Sequence, residues 1–483
     1  MAEIQNNIPV LHRKEWQTMM PAPTATAANS FVVFDPLGQS NYALYMLSAT
    51  VHYLYHHDED DWVQIPSGAF SPALTAGACG AFHPWSITYT GNGGSTTTIQ
   101  VAAATHNIVG SVVGGVVEFL SGTAANLGLR RTITAIKADN GTGNITLTLD
   151  SALPSAFAST DTFRCNIGSF FIFTSGIVTT SSFRRFDLGT MSWVGTLSIT
   201  GIAATFGTDG RMVSPARYGV SYDTGTATSA TGTTLVDSGA GWGVDQFINF
   251  QVRITGGTGI GQIRTITDND ATSITVATWT TTPDATSTYS IEGDENSLYL
   301  LGNNAVTMYK YSISGNTWAT VSPTTARAGA AIAGMSADFV GVTGDAGWAN
   351  VAALKDGRYI YSLRGGTSVI DRFDISGGTN GAGAWLQVSY PNNITTFAAG
   401  DSTFMDGRYL YIAKEGSATV PQRFYKFSVR GNYLEPVTTD WYLGGAAAQG
   451  NKIWVKSLSS TGAVKWIYCL QQTVTNLRRI MVY

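Results

Sequence analysis

Asp356-Gly357-Arg358-Tyr359-Ile360-Tyr361 and Asp406-Gly407-Arg408-Tyr409-Leu410-Tyr411 stand fifty residues apart and are near-identical. Asp-Gly followed by alternating aromatic and aliphatic side chains is a hairpin signal. The glycine accepts the positive φ of a tight turn, and the alternation gives the next strand one apolar face. A second element keeps step with the first. Tyr55, Phe186, Tyr311 and Phe427 stand seven residues before Trp62, Trp193, Trp318 and Leu434. Phe373 begins a fifth copy, which reaches Trp385 after a glycine-rich extension. A third Asp-Gly-Arg, at Asp209-Gly210-Arg211, is out of register. The unit reads as strand, Asp-Gly hairpin, strand, aromatic strand, turn and Trp-led strand, which makes a four-stranded antiparallel blade.

An aromatic-Asp pair (Phe186-Asp187, Phe373-Asp374), a polar turn and a Trp once per fifty residues resembles the kelch family of β-propellers. The family's Gly-Gly survives in part, at Gly365-Gly366. Ser312 to Trp318 also resembles the Asp-box of sialidase-like propellers, with Ser314 where that motif has aspartate. The resemblance implies an all-β propeller, and counting gives six blades. The first holds Phe31–Phe34, Tyr42–Met46, Val51–Tyr55 and Trp62–Ile65. The last holds a weak strand near Ala446, then Lys452–Val455, Val464–Leu470 and Leu477–Tyr483.

Trp62 to Trp193 and Trp193 to Trp318 are about 131 and 125 residues, too long for one blade each. Removing residues 91–168 from the second blade and 224–295 from the third restores both to near fifty. The two segments parallel each other. Gly256-Gly257-Thr258-Gly259-Ile260-Gly261-Gln262-Ile263-Arg264-Thr265-Ile266-Thr267 matches Gly122-Thr123 through Arg131-Thr132-Ile133-Thr134, and Ser273–Val276 matches Asn144–Thr148. Each reads as a small β-barrel or sandwich. The second resembles a Gly-Thr-Gly-x-Gly-Gln-x-Arg β module that recurs in tailed-phage virion proteins. The first lacks the second glycine pair and the glutamine. The expected organisation is an N-terminal arm (1–28), the first blade and start of the second (29–90), an insert (91–168), blade sequence (169–223), an insert (224–295) and the remaining blades (296–483).

Composition fits this reading. Only 12% of the 483 residues are charged, about half the usual share, and 54 are glycine. With 28 basic and 32 acidic residues and no basic block, nucleic-acid binding is not expected. No run of 18 apolar residues exists, so neither is membrane insertion. Met1 to Asn7 has no apolar stretch of the kind a secretory leader carries. Cys79, Cys165 and Cys469 are too scattered for a metal site and read as core residues of a protein folded in a reducing cytoplasm.

Several segments invite chemistry. Gly256 to Gly261 looks like a phosphate loop, but Ile263 to Thr267 continues as a strand and no helix follows, which favours a hairpin turn. His56-His57-Asp58-Glu59-Asp60-Asp61 has metal-ligand chemistry but falls on the polar turn before Trp62 and lacks calcium-loop spacing. A solvated turn is the better reading. No nucleophile elbow or paired acids appear, so no catalytic residue, metal or cofactor is expected. Trp85, Trp242 and Trp348 lie in turn-like contexts. Exposed, they could stack on sugars or anchor an interface; packing within their own loops is the favoured alternative. In the arm, Trp16, Met19 and Met20 form the natural anchor, held by the propeller or by a neighbouring chain.

These readings converge on a structural protein of a tailed-phage virion, made in the host cytoplasm. It would be a tail, neck or nozzle component rather than a capsid decoration. Its expected partners are other virion proteins and copies of itself. A carbohydrate- or receptor-binding propeller, with a host surface glycan as ligand, is the alternative, and a polysaccharide-degrading propeller the third.

Overall fold

The strand Ser169–Phe173 is buried at all five positions. Phe170 and Ile172 pack with Val33, Leu44 and Phe186. Phe171 and Phe173 face the other way, against Leu298, Leu300 and Tyr311. A strand apolar on both faces needs a sheet on each side, and the fold supplies them all round.

The computed structural model describes residues 17–24, 31–35, 40–46, 51–65, 74–75, 77–139, 141–207, 210–216, 218–302, 306–329, 332–337, 358–388, 396–397, 402–405, 409–414, 423–429, 431–436, 452–457, 465–470 and 476–482. The Asp-Gly pairs 356–357 and 406–407 lie outside them, as do Asp209 and Ala446. Six four-stranded antiparallel sheets occur among the described residues. Their inner strands are Phe31–Phe34, Cys79–His83, Arg211–Val213, Ile332–Ala337, Ser402–Met405 and Lys452–Ser457, here sheets 1 to 6. Each inner strand adjoins the next, and the last adjoins the first. The protein is an all-β propeller.

The repeated aromatic spacing is a cross-strand pair. Tyr55 stands opposite Trp62, Phe186 opposite Trp193, Tyr311 opposite Trp318 and Phe373 opposite Trp385, on the third and fourth strands of sheets 1 to 4. Their ring centroids are 4.9 to 5.1 Å apart. The tryptophans of sheets 3 and 4 are buried between neighbouring sheets.

The sixth sheet corrects the sequence reading. Lys452–Ser457 is its inner strand rather than its second, followed outward by Lys465–Leu470 and Leu477–Val482. Its outermost strand is Gln17–Thr18, from the arm expected to belong to no blade. Gln17 and Thr18 pair with Arg479 and Arg478. The arm then runs on across the joint with sheet 1. Met19 N–H donates to the Leu477 carbonyl, Met20 N–H to the Asp60 carboxylate, and Trp62 Nε1 to the Met20 carbonyl.

Two further sheets interrupt the chain between the first and second strands of sheets 2 and 3. The first module has strand order Tyr89–Thr90, Thr162–Cys165, Val116–Ser121, Arg130–Lys137, Asn144–Leu149, Thr98–Ala102. The second has Asp223–Thr226, Thr288–Glu292, Gln251–Gly256, Ile263–Asn269, Ser273–Val276, Thr234–Val236, Ser229–Ala230. The shared order matches the sequence parallel strand for strand, and each module has its own apolar core.

Candidate functional site

The glycine-rich motif of the second module does structural work. Gly257, Gly259 and Gly261 all have positive φ, and the loop turns the strand Gln251–Gly256 into Ile263–Asn269. Gln262 ties that loop to the next one: its Oε1 accepts from Thr280 and Thr281 N–H, and its Nε2 donates to the Gly259 and Thr281 carbonyls. Arg264 donates to the Thr278 and Ile263 carbonyls. In the first module Arg131 repeats the pattern, on the Ala152 and Arg130 carbonyls. Buried Asn126 does the work of the missing glutamine, exchanging bonds with the Ser155 backbone. Within the loop Ile260 N–H donates to the Gly257 carbonyl, Gly261 N–H to the Ile254 carbonyl and Thr258 N–H to Thr286 Oγ1, and the chain continues as a strand.

The modules do not stand apart. Aligning Gly122-Thr123 on Gly257-Thr258 puts Glu118 at the position of Arg253, and these two side chains meet at 2.6 Å. Aligning Arg131 on Arg264 puts Gly128 at Gly261, and here too the equivalents touch. A Cβ on Gly128 would lie 2.2 Å from Gly261 Cα, so only glycine fits the crossing. Equivalent residues meeting each other is the mark of a two-fold relation between the modules.

Around that axis six charges are gathered. The first module supplies Glu118, Arg130 and Arg164, the second Arg253 and Glu292, and the return to sheet 3 Glu295. Arg164 bridges Glu118 and Glu295 at 2.5 Å each, Arg253 reaches Glu292 at 2.9 Å, and Arg130 spans Glu118 and Glu292 at 3.1 and 3.4 Å. Glu118 and Arg253 are 0% and 2% exposed, so neither charge is solvated by bulk water. Burial pushes the Glu118 carboxyl up, but Arg164, Arg253 and Arg130 outweigh it and hold it below the usual range. Burial holds Glu295 above that range, opposed by Arg164 and assisted by the Glu292 and Glu118 carboxylates. The same three carboxylates keep Arg253 protonated against its own burial. Arg164 also lies over the Trp85 ring at 3.7 Å, and Arg130 over Tyr218 at 5.4 Å.

Each module is bolted to the propeller as well. Asp187 accepts from Ile87 N–H and Tyr89 OH at the root of the first module. Asn249 of the second donates to the Ile375 and Gly381 carbonyls of sheet 4, and Ser376 Oγ donates to the Ile248 carbonyl. The pair is one platform fixed to one side of the propeller.

The residues singled out in the sequence are not brought together. Trp85 is 1% exposed, stacked by Arg164 behind the charge cluster, and Trp242 is 5% exposed in the second module's core, donating from Nε1 to Asp223. As surface anchors or sugar platforms both are corrected: their turn-like contexts are covered by neighbouring elements. Met19 is buried among Tyr45, Tyr55 and Tyr468 of its own chain, while Met20 is exposed. Trp16 and Trp348 lie outside the described residues. In the His56–Asp61 turn, Asp60 is engaged by Met20 N–H and Tyr55 OH, Asp61 by Trp62 N–H, and Glu59 by His56 Nδ1 at 3.3 Å. Among the described residues no three His, Cys, Asp or Glu side chains gather as a metal site, and no helix is long and apolar enough to cross a membrane. The three cysteines are buried. Sequence reasoning missed the charge cluster, because its members are scattered from 118 to 295 and only tertiary pairing assembles them.

No family model and no curated protein matches the chain. Among solved structures, the C-terminal WD40 domain of Sif2 aligns over 97% of this chain and 99% of its own, at 9% identity and a TM-score of 0.31. The hydrazine synthase of Kuenenia stuttgartiensis aligns over 63% and 73%, at 8% identity and 0.26. At these scores neither likeness bears on function.

Proposed function

We propose that this protein is a non-enzymatic building block of a tailed-phage virion, in the tail, neck or nozzle, working through contacts with other virion proteins and copies of itself. In this reading the six sheets are the blades of a six-bladed, kelch-like propeller closed by its own arm. The two modules are duplicated inserts of the phage type resembled by the Gly257 to Arg264 motif.

One observation carries the proposal: the paired modules are joined to each other and fastened to the propeller, and their motif residues bond within the modules. Gln262, Arg264 and Arg131 hold loops, and the six charges at the joint, four of them buried, pair with one another. Such a platform offers a preformed surface, and preformed surfaces lose little entropy on assembly. The glycan-binding alternative through Trp85 and Trp242 loses its basis with their burial.

The test is co-sedimentation. In lysates of infected cells the protein is expected to band with assembled particles on a density gradient and to resist removal by high salt. A protein found wholly in the soluble fraction, absent from every particle band, contradicts the reading.

A further inference from the structure

Sheets 6 and 1 meet where the two ends of the chain close the propeller, and the arm holds the outer edge of that joint. On its inner side, two side chains 415 residues apart in the sequence touch: Lys456 Nζ donates to Asn41 Oδ1 at 2.6 Å. Lys456 is on the inner strand of sheet 6, and Asn41 immediately precedes the second strand of sheet 1. Backbone pairing fixes both. The Asn41 carbonyl accepts from His57 N–H at 3.0 Å, and the strand of Lys456 pairs along Lys465–Leu470. Lysine has donors only, so the amide oxygen must face Nζ. The amide carbon Cγ then lies one bond further on, roughly 3.5 Å from Nζ, which is the separation of a near-attack arrangement.

A carboxylate stands beside them. Asp35 is buried, and its Oδ2 accepts at 2.9 Å from the N–H of Ser40, the residue before Asn41. Burial pushes the Lys456 ammonium below its usual range, with Asp58 and Asp35 opposing. Asp58 is exposed, so of these two carboxylates Asp35 is the one shielded from water. An amine, a carboxamide and a buried carboxylate are the parts an amide exchange needs: nucleophile, acyl group and proton carrier. Lys310 offers the contrast. Its Nζ lies 3.5 Å from Asn249 Oδ1, but Asp294 is 3.3 Å away. There Asp294 and Tyr299 outweigh burial and hold the ammonium above its usual range, and a protonated nitrogen has no lone pair to attack with.

We propose that Lys456 and Asn41 join in an intramolecular isopeptide bond that seals the propeller between its first and last sheets. The Lys456 ammonium gives a proton to Asp35. Nζ, now a neutral amine, attacks Asn41 Cγ and forms the new C–N bond. Asp35 passes its proton to Nδ2, the Cγ–Nδ2 bond breaks with its electron pair going to nitrogen, and ammonia leaves. Nζ sheds its remaining surplus proton to that ammonia. Lysine ammonium and carboxamide thus become a secondary amide and an ammonium ion, Asp35 ends as it began, and no oxidant or cofactor enters. The proposal stands apart from the virion reading and does not need it.

Mass spectrometry of the purified full chain tests it. The denatured protein is expected to weigh one ammonia less than its sequence, and its digest to contain a branched peptide joining Asn41 to Lys456. Lys456→Met and Asn41→Ala should each restore the full mass. Asp35→Asn, which keeps an acceptor for Ser40 N–H, should slow formation of the bond about a hundredfold or more, the loss of a proton carrier, with partial recovery in Asp35→Glu. The unsubstituted chain at full mass, with both peptides unbranched after prolonged incubation at mildly alkaline pH, overturns the proposal whatever the variants do. So does an ammonia loss that maps elsewhere, as cyclisation at Asn380-Gly381 would, or that persists in Lys456→Met. A rate unchanged in Asp35→Asn overturns it as well.

Discussion

Tyr55 and Tyr311 show how one residue choice propagates. Each hydroxyl donates, at 2.6 Å, to the residue five places on, Asp60 and Asn316. That residue sits in the hairpin at positive φ, 52° and 49°, a region Asp and Asn tolerate. Where the aromatic is Phe186 no hydroxyl needs a partner, and Met191 occupies the same left-handed position at φ 47°. A methionine there is strained, so Met191→Asn is expected to stabilise by about 0.5–1 kcal/mol, read as a higher urea midpoint at constant slope. The aromatic pair flanking this turn, such as Tyr55 and Trp62, lies within a single hairpin and so shows in the sequence as a seven-residue spacing. What covers Trp85 was not legible for the opposite reason: the guanidinium over its ring comes from Arg164, seventy-nine residues away. Burial also pushes the His52 imidazole down to about 4, with the Val51 backbone opposing. The unfolded chain takes up this proton near pH 6.5, the folded chain only near 4. His52 therefore contributes fully above pH 6.5, and its contribution, up to about 3 kcal/mol, is lost as pH falls from there towards 4. Stability measured from pH 7 to 4 should fall less steeply in His52→Gln. An unchanged slope contradicts this assignment.

At the scale of elements, the joint between the modules is where breakage costs most. Removing one partner of a buried network strands the others in a medium that solvates them poorly. Arg253→Met leaves Glu118, Glu292 and Glu295 with two arginines, and is expected to cost about 3–5 kcal/mol. Hydrogen exchange should then quicken along Val116–Ser121 and Gln251–Gly256 while sheet 1 keeps its protection. Uniform loss across the chain, or no change, argues against a local joint. The modules themselves were legible from their parallel turns and strands, since those are properties of each segment. Their meeting was not, because Glu118 and Arg253 occupy equivalent places with opposite charge, and the similarity used to align the segments does not reveal that pairing.

At the scale of the molecule, the propeller was legible because each blade repeats local hairpins. Its closure was not: Gln17–Thr18 is two residues long and its partner strand lies at the other end of the sequence. Tertiary contact supplies what the pattern lacks, chiefly Met19, buried between sheets 6 and 1. Met19→Ala is expected to cost about 2–5 kcal/mol in chemical unfolding. Met20→Ala, which keeps the backbone bonds to Asp60 and Trp62, should stay within about 0.5 kcal/mol. Equal effects would show that the arm is not seated as described. Gln17 to Met20 are thus engaged within their own chain, and in the proposed assembly contact with neighbours would fall to the platform and outer surfaces. Quantitative mass spectrometry of gradient-purified virions tests that role most directly. The account predicts this chain in every particle at a fixed copy number that survives high-salt washing, and its absence, or a variable trace that washes away, contradicts it.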